Sequence, residues 1–338
     1  FVFLSAVLVR QMSPSLPTEL RSLHAKDMHH EPLSQLSSSS GEENEDENVS
    51  NDGKSRLMPS YPFPADFHLE FQQQRIEACQ HFCRRHPEGT RTIVLFFPGV
   101  HGGVGPCRAP GKNFDEDALF PRLARRLADI ADVDCYRCSW PFMRPQMSYA
   151  IGGACRILHH ALLQALKGHS SNASGERREL RVCFVGHSLG GAVALHAAEV
   201  VAKHFGVDGT GGQRMEGLES AIVRLWGVCT LNSAVDTRQQ SRGVIFDSLR
   251  ACHALLVCGD ADEVISNSAT TSMWEALPVE TKRHVVLPGG THHLFEYKDH
   301  LLSELEEFIR SSIESPDPLG EAEHGTCSDN SVGDAEQQ

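Results

Sequence analysis

Short apolar runs alternate with segments of helical periodicity between residues 61 and 314 of the chain. The apolar runs predict buried strands at residues 92–97, 133–139, 180–185, 222–230, 253–258 and 284–287. Helical patterns fall between and after them, at residues 121–130, 150–166, 191–205 and 297–311. Strands that alternate with helices are typical of an α/β fold, with a mostly parallel central sheet and helices on both faces. An antiparallel hairpin is predicted ahead of this pattern, at residues 67–71 and 76–83.

Two terminal segments lack the pattern. Residues 1–60 and 315–338 are rich in Ser, Pro and acidic residues, and such segments bury too little apolar surface to offset their ordering entropy. We therefore expect disordered tails around one folded domain at residues 61–314.

The formal net charge of −13 belongs mainly to the tails. Residues 1–60 contain 5 Lys+Arg against 9 Asp+Glu, and residues 314–338 contain 7 Asp+Glu and no Lys or Arg. The domain between them is nearly neutral. It offers no basic surface for nucleic acid, so no such partner is predicted.

Cysteine usage and the first residues bear on the compartment. The 11 Cys show no compact disulfide framework, and Cys183 and Cys258 fall in apolar runs that predict burial. Cys135 and Cys138 have CxxC spacing, but residues three apart in a strand point to opposite faces, so we expect no redox or zinc site there. Residues 1–9 are apolar but shorter than the roughly 20 residues of a membrane span. We expect a soluble intracellular protein, with the remnant of an N-terminal anchor or signal as the alternative.

A serine stands on a glycine-rich turn between a predicted strand and a predicted helix, in Gly186-His187-Ser188-Leu189-Gly190. This is the G-x-S-x-G pattern, in which the serine takes a strained backbone conformation that projects its hydroxyl from the sheet. Its neighbours two positions away must be small, because the strand and the helix approach each other there. The pattern predicts that Ser188 is a nucleophile.

This turn resembles that of lipases, esterases and related enzymes of the α/β-hydrolase superfamily, and the resemblance covers most of residues 90–312. It implies the chain order nucleophile, acid, histidine. In that family the acid commonly stands three residues after the Gly that ends the next-to-last strand, which is Gly259 here. Asp262 matches that position, and Asp260 is the alternative. Glu263 is expected to point away from the site.

The resemblance places the catalytic histidine in the loop after the last strand, where His292 and His293 are adjacent. Small residues before the histidine favour His292, and His293 is the alternative. As general base, His292 would take the proton of Ser188 and then give it to the leaving group, while Asp262 would hold the imidazole in the correct tautomer.

An oxyanion hole is implied as well. One donor is expected to be the N–H of Leu189, at the start of a helix, where the helix dipole also favours negative charge. The family takes the second donor from the loop after the early strand, which indicates Val100. A second His-Gly-Gly in this loop leaves the N–H groups of His101 and Gly102 as alternatives.

Loops that leave the strands face the substrate in such a sheet. We expect Phe142, Met143 and Arg144, in one of these loops, to line an acyl pocket. The short interval from residue 232 to 253 leaves no room for a large helical cap, which suggests an open site for a small ester or a lipid acyl chain. No cofactor is implied, because serine, imidazole and carboxylate suffice, and no spacing indicates a metal site.

The sequence therefore predicts a serine hydrolase that cleaves a carboxylic ester or thioester through an acyl-enzyme. Two other hypotheses remain open. One is a hydrolase-like scaffold that binds a partner without catalysis, because a fold alone does not establish activity. The other is an acyltransferase that uses the same triad.

Overall fold

A computed structural model of the chain describes residues 67–72, 74–81, 92–99, 105–106, 118–129, 133–140, 147–167, 178–205, 218, 221–233 and 246–314. The tails predicted at residues 1–60 and 315–338 lie outside these ranges.

The described elements alternate as the apolar pattern indicates. The strands are β1 (Phe67–Phe71), β2 (Gln74–His81), β3 (Thr92–Phe97), β4 (Val133–Ser139), β5 (Arg178–His187), β6 (Ala221–Leu231), β7 (His253–Gly259) and β8 (Thr281–Leu287). The α-helices are α1 (Leu119–Asp129), α2 (Met147–Leu166), α3 (Leu189–Phe205), α4 (Asn267–Ala276) and α5 (Lys298–Glu314). Single 3₁₀ turns lie at Asp247–Leu249 and Phe295–Tyr297.

The described strands form one sheet in the order β1-β2-β4-β3-β5-β6-β7-β8. Strands β3 to β8 run parallel to one another, whereas the β1–β2 hairpin is antiparallel and joins the sheet through an antiparallel β2–β4 pair. The predicted fold class, a mostly parallel α/β sheet preceded by a hairpin, is confirmed.

Helices cover both faces of the sheet, and each face has its own apolar core. Successive residues of β3 show the division: Ile93, Leu95 and Phe97 belong to one core, and Val94 and Phe96 to the other. The first core includes buried residues of α2, α3 and α4, and the second those of α1 and α5. Because a strand points alternate side chains to opposite faces, a continuous apolar run is what a sheet covered on both sides requires.

The CxxC pair is divided between the two cores. Cys135 packs with the α1–α5 side of the sheet and Cys138 with the α2–α3 side, and burial raises the pKa of the Cys138 thiol. Cys183 and Cys258 are also buried. The interpretation of these cysteines as packing residues is confirmed.

Helix α4 and strand β8 are two of the elements that differ from the sequence prediction. Helix α4 was not predicted, because only Thr270 and Met273 are buried on it and its apolar periodicity is correspondingly slight. Its start is instead fixed by Ser266, whose hydroxyl accepts the N–H of Ala269 at 3.3 Å. Strand β8 begins three residues before the predicted strand at 284–287, because the polar residues from Thr281 onward pair with β7 along the edge of the sheet.

No helix in the described ranges is both long and apolar enough to cross a membrane.

Candidate active site

Ser188 lies at the sharp bend between β5 and α3, with a left-handed backbone conformation of φ 55°. The flanking glycines are required by close backbone contact. A Cβ on Gly186 would lie 2.1 Å from the carbonyl oxygen of Gly190, and one on Gly190 would lie 2.1 Å from that of Phe97. The N–H of Ser188 donates to the carbonyl of Leu231, at the end of β6, at 2.9 Å. The serine is therefore anchored to the carboxyl edge of the sheet.

The structure brings the three predicted triad residues together. Nε2 of His292 lies 3.0 Å from Oγ of Ser188. Nδ1 of the same ring lies 2.9 Å from Oδ2 and 3.1 Å from Oδ1 of Asp262. All three distances are within hydrogen-bonding range, so a proton can pass from the hydroxyl to the imidazole while the carboxylate accepts the other N–H.

The Asp262 carboxylate is buried and well supplied with donors. Its side chain is 1% exposed. Oδ1 accepts the backbone N–H groups of Val264 and Ile265 at 2.7 and 2.8 Å. Together with the imidazole, these donors compensate for the loss of water around the charge. The turn after β7 therefore holds the Asp262 carboxylate in place as an acceptor for His292.

The alternative acid and base occupy other roles. The Asp260 carboxylate accepts the N–H of Gly289 and joins the turn after β7 to the turn after β8. His293 is exposed, and its ring meets that of His292 edge-on, with centroids 5.7 Å apart. The contacts to Ser188 described above come from His292.

The expectation that Glu263 points away from the site is wrong. Its carboxylate accepts the backbone N–H of His292 at 3.2 Å. Backbone hydrogen bonds, first from its own N–H and then from that of His292, lower the pKa of Glu263. The side chain turns back because the backbone N–H of His292 is a donor within reach of its carboxylate.

Asn232, which was not predicted from the sequence, forms hydrogen bonds with the loop that carries His292. Its amide donates to the carbonyls of Thr291 and His292 at 2.8 and 3.0 Å, and its Oδ1 accepts the N–H of Gly259 at 2.7 Å. The residue is fully buried and has φ 41°. An Asn at the end of a predicted strand was the one available signal, because Asn tolerates left-handed backbone better than most residues.

His187, the residue before the nucleophile, also contacts the histidine loop. Its Nε2 lies 3.0 Å from the carbonyl oxygen of His292, and the two rings are 5.1 Å apart. The His187 side chain is buried and is directed toward the backbone of His292.

One of the two predicted oxyanion donors is among the described residues. Leu189 begins α3, so its N–H lies at the positive end of that helix. Gly99 lies against the nucleophile, since a Cβ on it would be 3.2 Å from Cβ of Ser188. Val100 follows Gly99 directly but is outside the described ranges, as are the alternatives His101 and Gly102.

The predicted acyl-pocket residues Phe142, Met143 and Arg144 are likewise outside the described ranges. Apolar side chains do occur on the two loops that carry the acid and the base. Val264 and Phe295 are 61% and 42% exposed. Within the described residues, no three His, Cys, Asp or Glu side chains come together as a metal site.

Comparison with known proteins agrees with this geometry at the level of the fold. Residues 130–215, which include β5, Ser188 and α3, match the family model for lipase (class 3). A search of curated proteins found no significant match.

Solved structures match a larger part of the chain. Est1E from Butyrivibrio proteoclasticus is 14% identical, covers 74% of this chain and 99% of its own, and has a TM-score of 0.50. The same protein with ferulic acid bound gives 14% identity, 74% and 100% coverage and a TM-score of 0.51. ATU1826 from Agrobacterium tumefaciens, a candidate alpha/beta hydrolase of unknown function, is 13% identical, covers 74% of this chain and 99% of its own, and has a TM-score of 0.50. The chain therefore has the α/β-hydrolase fold, and its resemblance to that superfamily is confirmed.

Proposed function

We propose that the chain is a serine hydrolase that cleaves a carboxylic ester or thioester through an acyl-enzyme. Ser188 is the nucleophile, His292 the general base and acid, and Asp262 the carboxylate that orients the imidazole. The observation that carries this proposal is the continuous hydrogen-bonded chain from Oγ of Ser188 through both ring nitrogens of His292 to Asp262.

Acylation follows from these contacts. Oγ of Ser188 attacks the substrate carbonyl carbon as Nε2 of His292 takes its proton, and the carbonyl oxygen becomes negatively charged. Asp262 stabilises the imidazolium that forms. The tetrahedral intermediate then breaks its bond to the leaving group, which receives the proton from Nε2. In the second half of the cycle, water loses a proton to His292 and attacks the acyl carbon, which releases the acid and restores the Ser188 hydroxyl.

The developing oxyanion needs donors that are already in place. The N–H of Leu189 is the first, because it follows the nucleophile at the start of α3. We assign the second to Val100, because Gly99 contacts Ser188 and the chain continues from there. Each such donor is worth about 10²–10³ in rate in well-studied hydrolases.

The substrate class we propose is an ester with an apolar acyl group, either a small ester or a lipid. The match to a lipase family model supports this, as do the exposed apolar side chains of Val264 and Phe295 on the segments that follow Asp262 and His292. Phe142 and Met143 are proposed to line the acyl pocket, with Arg144 as its one cation.

The proposal is tested by trapping the acyl-enzyme. Wild-type protein mixed with 4-nitrophenyl butyrate at low pH, where deacylation is slow, is expected to gain the mass of one butyryl group. Ser188→Ala is expected to gain none. Ser303→Ala, an exposed serine on α5, is the matched control and should acylate as wild type does. A folded wild-type protein that neither acylates nor releases nitrophenol contradicts the proposal and favours a non-catalytic scaffold.

Hydrolysis and acyl transfer are then separated by their products. Water and an added alcohol compete for the same butyryl-enzyme, so we expect free butyrate to predominate when the alcohol is dilute. Formation of the new ester as the main product under those conditions would identify an acyltransferase.

A further inference from the structure

The end of β6 contacts the segments of all three triad residues. The carbonyl of Leu231 accepts the N–H of Ser188 at 2.9 Å. Oδ1 of Asn232 accepts the N–H of Gly259, the last residue of β7, which leads into the turn that carries Asp262. Nδ2 of Asn232 donates to the carbonyl of His292. Two consecutive residues therefore position the nucleophile, the acid turn and the base relative to one strand end.

The carbonyl of His292 has two buried donors directed at it. One is Nδ2 of Asn232 and the other is Nε2 of His187, each at 3.0 Å. Nδ2 of Asn232 also donates to the preceding carbonyl, that of Thr291, and the nitrogen and oxygen are 2.8 Å apart. The peptide planes on either side of the His292 Cα are thereby held, and with them the direction in which the imidazole projects.

These contacts add to those that Asp260 and Glu263 make with the N–H groups of Gly289 and His292 in the same loop. Gly289 and Gly290 precede His292, and Gly289 has φ 69° with open space around it. Glycines leave a backbone many accessible conformations, so the position of His292 depends on contacts made outside its own loop. A displacement of about 1 Å in a catalytic group can cost about 10²-fold in rate.

We infer that Asn232, assisted by His187, is a positioning residue that holds the His292 imidazole between Ser188 and Asp262. This inference rests on the proposed function, since it concerns the same triad. Asn232 acts through the backbone of His292 and touches no substrate. A purely structural role would lower stability alone, whereas a positioning role requires that the hydrogen bond between His292 and Asp262 be lost in protein that is still folded.

Asn232→Asp is the sharpest variant. It keeps the shape of the side chain and the oxygen that accepts the N–H of Gly259, but it replaces the nitrogen that donates to two carbonyls with an oxygen, which cannot donate. Asn267→Asp is the matched control. Asn267 is on α4, and its Oδ1 accepts from the Cys258 thiol at 3.3 Å, a contact that aspartate preserves.

Two measurements are made on each protein. The first is the low-field proton resonance of the hydrogen bond between Nδ1 of His292 and Asp262, assigned by its loss in His292→Ala. The second is the rate of fluorophosphonate labelling as a function of pH. We expect Asn232→Asp to lose the resonance and to label about 100-fold more slowly, with an altered pH profile. Asn267→Asp should retain both wild-type properties.

The outcomes separate this inference from the proposed function. If Asn232→Asp retains the resonance and the wild-type labelling rate, or if wild type shows no resonance, the positioning role is overturned. If wild type shows the resonance but does not label, the serine-hydrolase proposal fails, while the loss or retention of the resonance in Asn232→Asp still decides the positioning role.

His187 provides a second pair of variants in case Asn232→Asp does not fold. Phe in place of His187 removes one donor to the His292 carbonyl and keeps an aromatic ring, whereas Gln retains a donor group. We expect His187→Phe to broaden or abolish the resonance and His187→Gln to restore it in part. Equal retention in both variants would contradict a role for this hydrogen bond.

Discussion

Val264 donates its backbone N–H to Oδ1 of Asp262 at 2.7 Å, so the residue next but one to the acid helps to hold its carboxylate in place. Ile265 makes a similar contact at 2.8 Å. Of the two candidate acids, Asp262 is the one whose carboxylate is buried and accepts these two N–H groups. Asp260, two residues earlier and exposed, bonds instead to the N–H of Gly289.

Replacement of the two aspartates should therefore have different consequences. Asp262→Asn is expected to lower kcat/KM for ester hydrolysis by about 10³–10⁴-fold, because the amide favours the wrong imidazole tautomer. Asp260→Asn should retain most activity and lose some stability in the turn after β8. Steady-state kinetics and thermal unfolding of both variants make the comparison. A larger loss of activity in Asp260→Asn would overturn the assignment of the acid.

Replacement of each of the two adjacent histidines should also affect activity very differently. His292→Ala removes the only ring that contacts Oγ of Ser188 among the described residues, so hydrolysis should fall by about 10⁴-fold or more. His293→Ala removes an exposed ring and should leave kcat within a few-fold of wild type. Steady-state kinetics of the two variants check the assignment, and a larger loss of kcat/KM in His293→Ala would overturn it.

The sequence patterns predict the triad residues of this site but not the residues that support them. Ser188, Asp262 and His292 follow strand ends that the apolar pattern marks, and parallel strands bring their carboxyl ends to one edge of the sheet. Helix α4 was missed because capping by Ser266, rather than periodicity, starts it.

The residues that support the triad were harder to predict. Asn232 and Glu263 act through backbone groups of a loop distant in sequence, and which polar groups such a loop leaves unpaired depends on tertiary packing. No local pattern around position 232 or 263 indicates those partners. His187 is similar, because its position beside the nucleophile was evident but its contact with the carbonyl of His292 requires the folded loop.

The glycines around the nucleophile give a stability prediction. Gly190→Ala would place a Cβ 2.1 Å from the carbonyl oxygen of Phe97, and a backbone atom cannot move aside cheaply. We expect a loss of more than about 3 kcal/mol in unfolding free energy. Gly289→Ala is the matched control: it has open space around it and φ 69°, so only the backbone conformation is strained, at about 1 kcal/mol. Denaturant unfolding compares them, and equal losses would contradict the close approach of α3 to β3.

Acid sensitivity should arise from His196. Burial lowers its pKa to about 4, from an ordinary value of 6.5, and its ring lies 5.4 Å from that of Phe246. The unfolded chain therefore binds a proton near pH 6.5 that the folded chain does not bind until about pH 4. The stability from this group is fully present above pH 6.5 and is lost as the pH falls toward 4.

The loss from His196 should be on the order of 2–3 kcal/mol across that interval. Unfolding free energies measured between pH 7 and 4 test this. His196→Gln, which does not titrate, should show a correspondingly flatter decline than wild type. Parallel declines in the two proteins would show that His196 titrates normally in the folded state.

The most direct test of the central proposal is covalent labelling of the nucleophile. A fluorophosphonate probe reacts only with a serine whose hydroxyl is activated by a neighbouring base, so we expect one probe per wild-type molecule, located on Ser188 by peptide mass mapping. Ser188→Ala should not be labelled, and Ser303→Ala should label as wild type does. Correctly folded wild-type protein that stays unlabelled, or that carries the probe on another residue, would contradict the account.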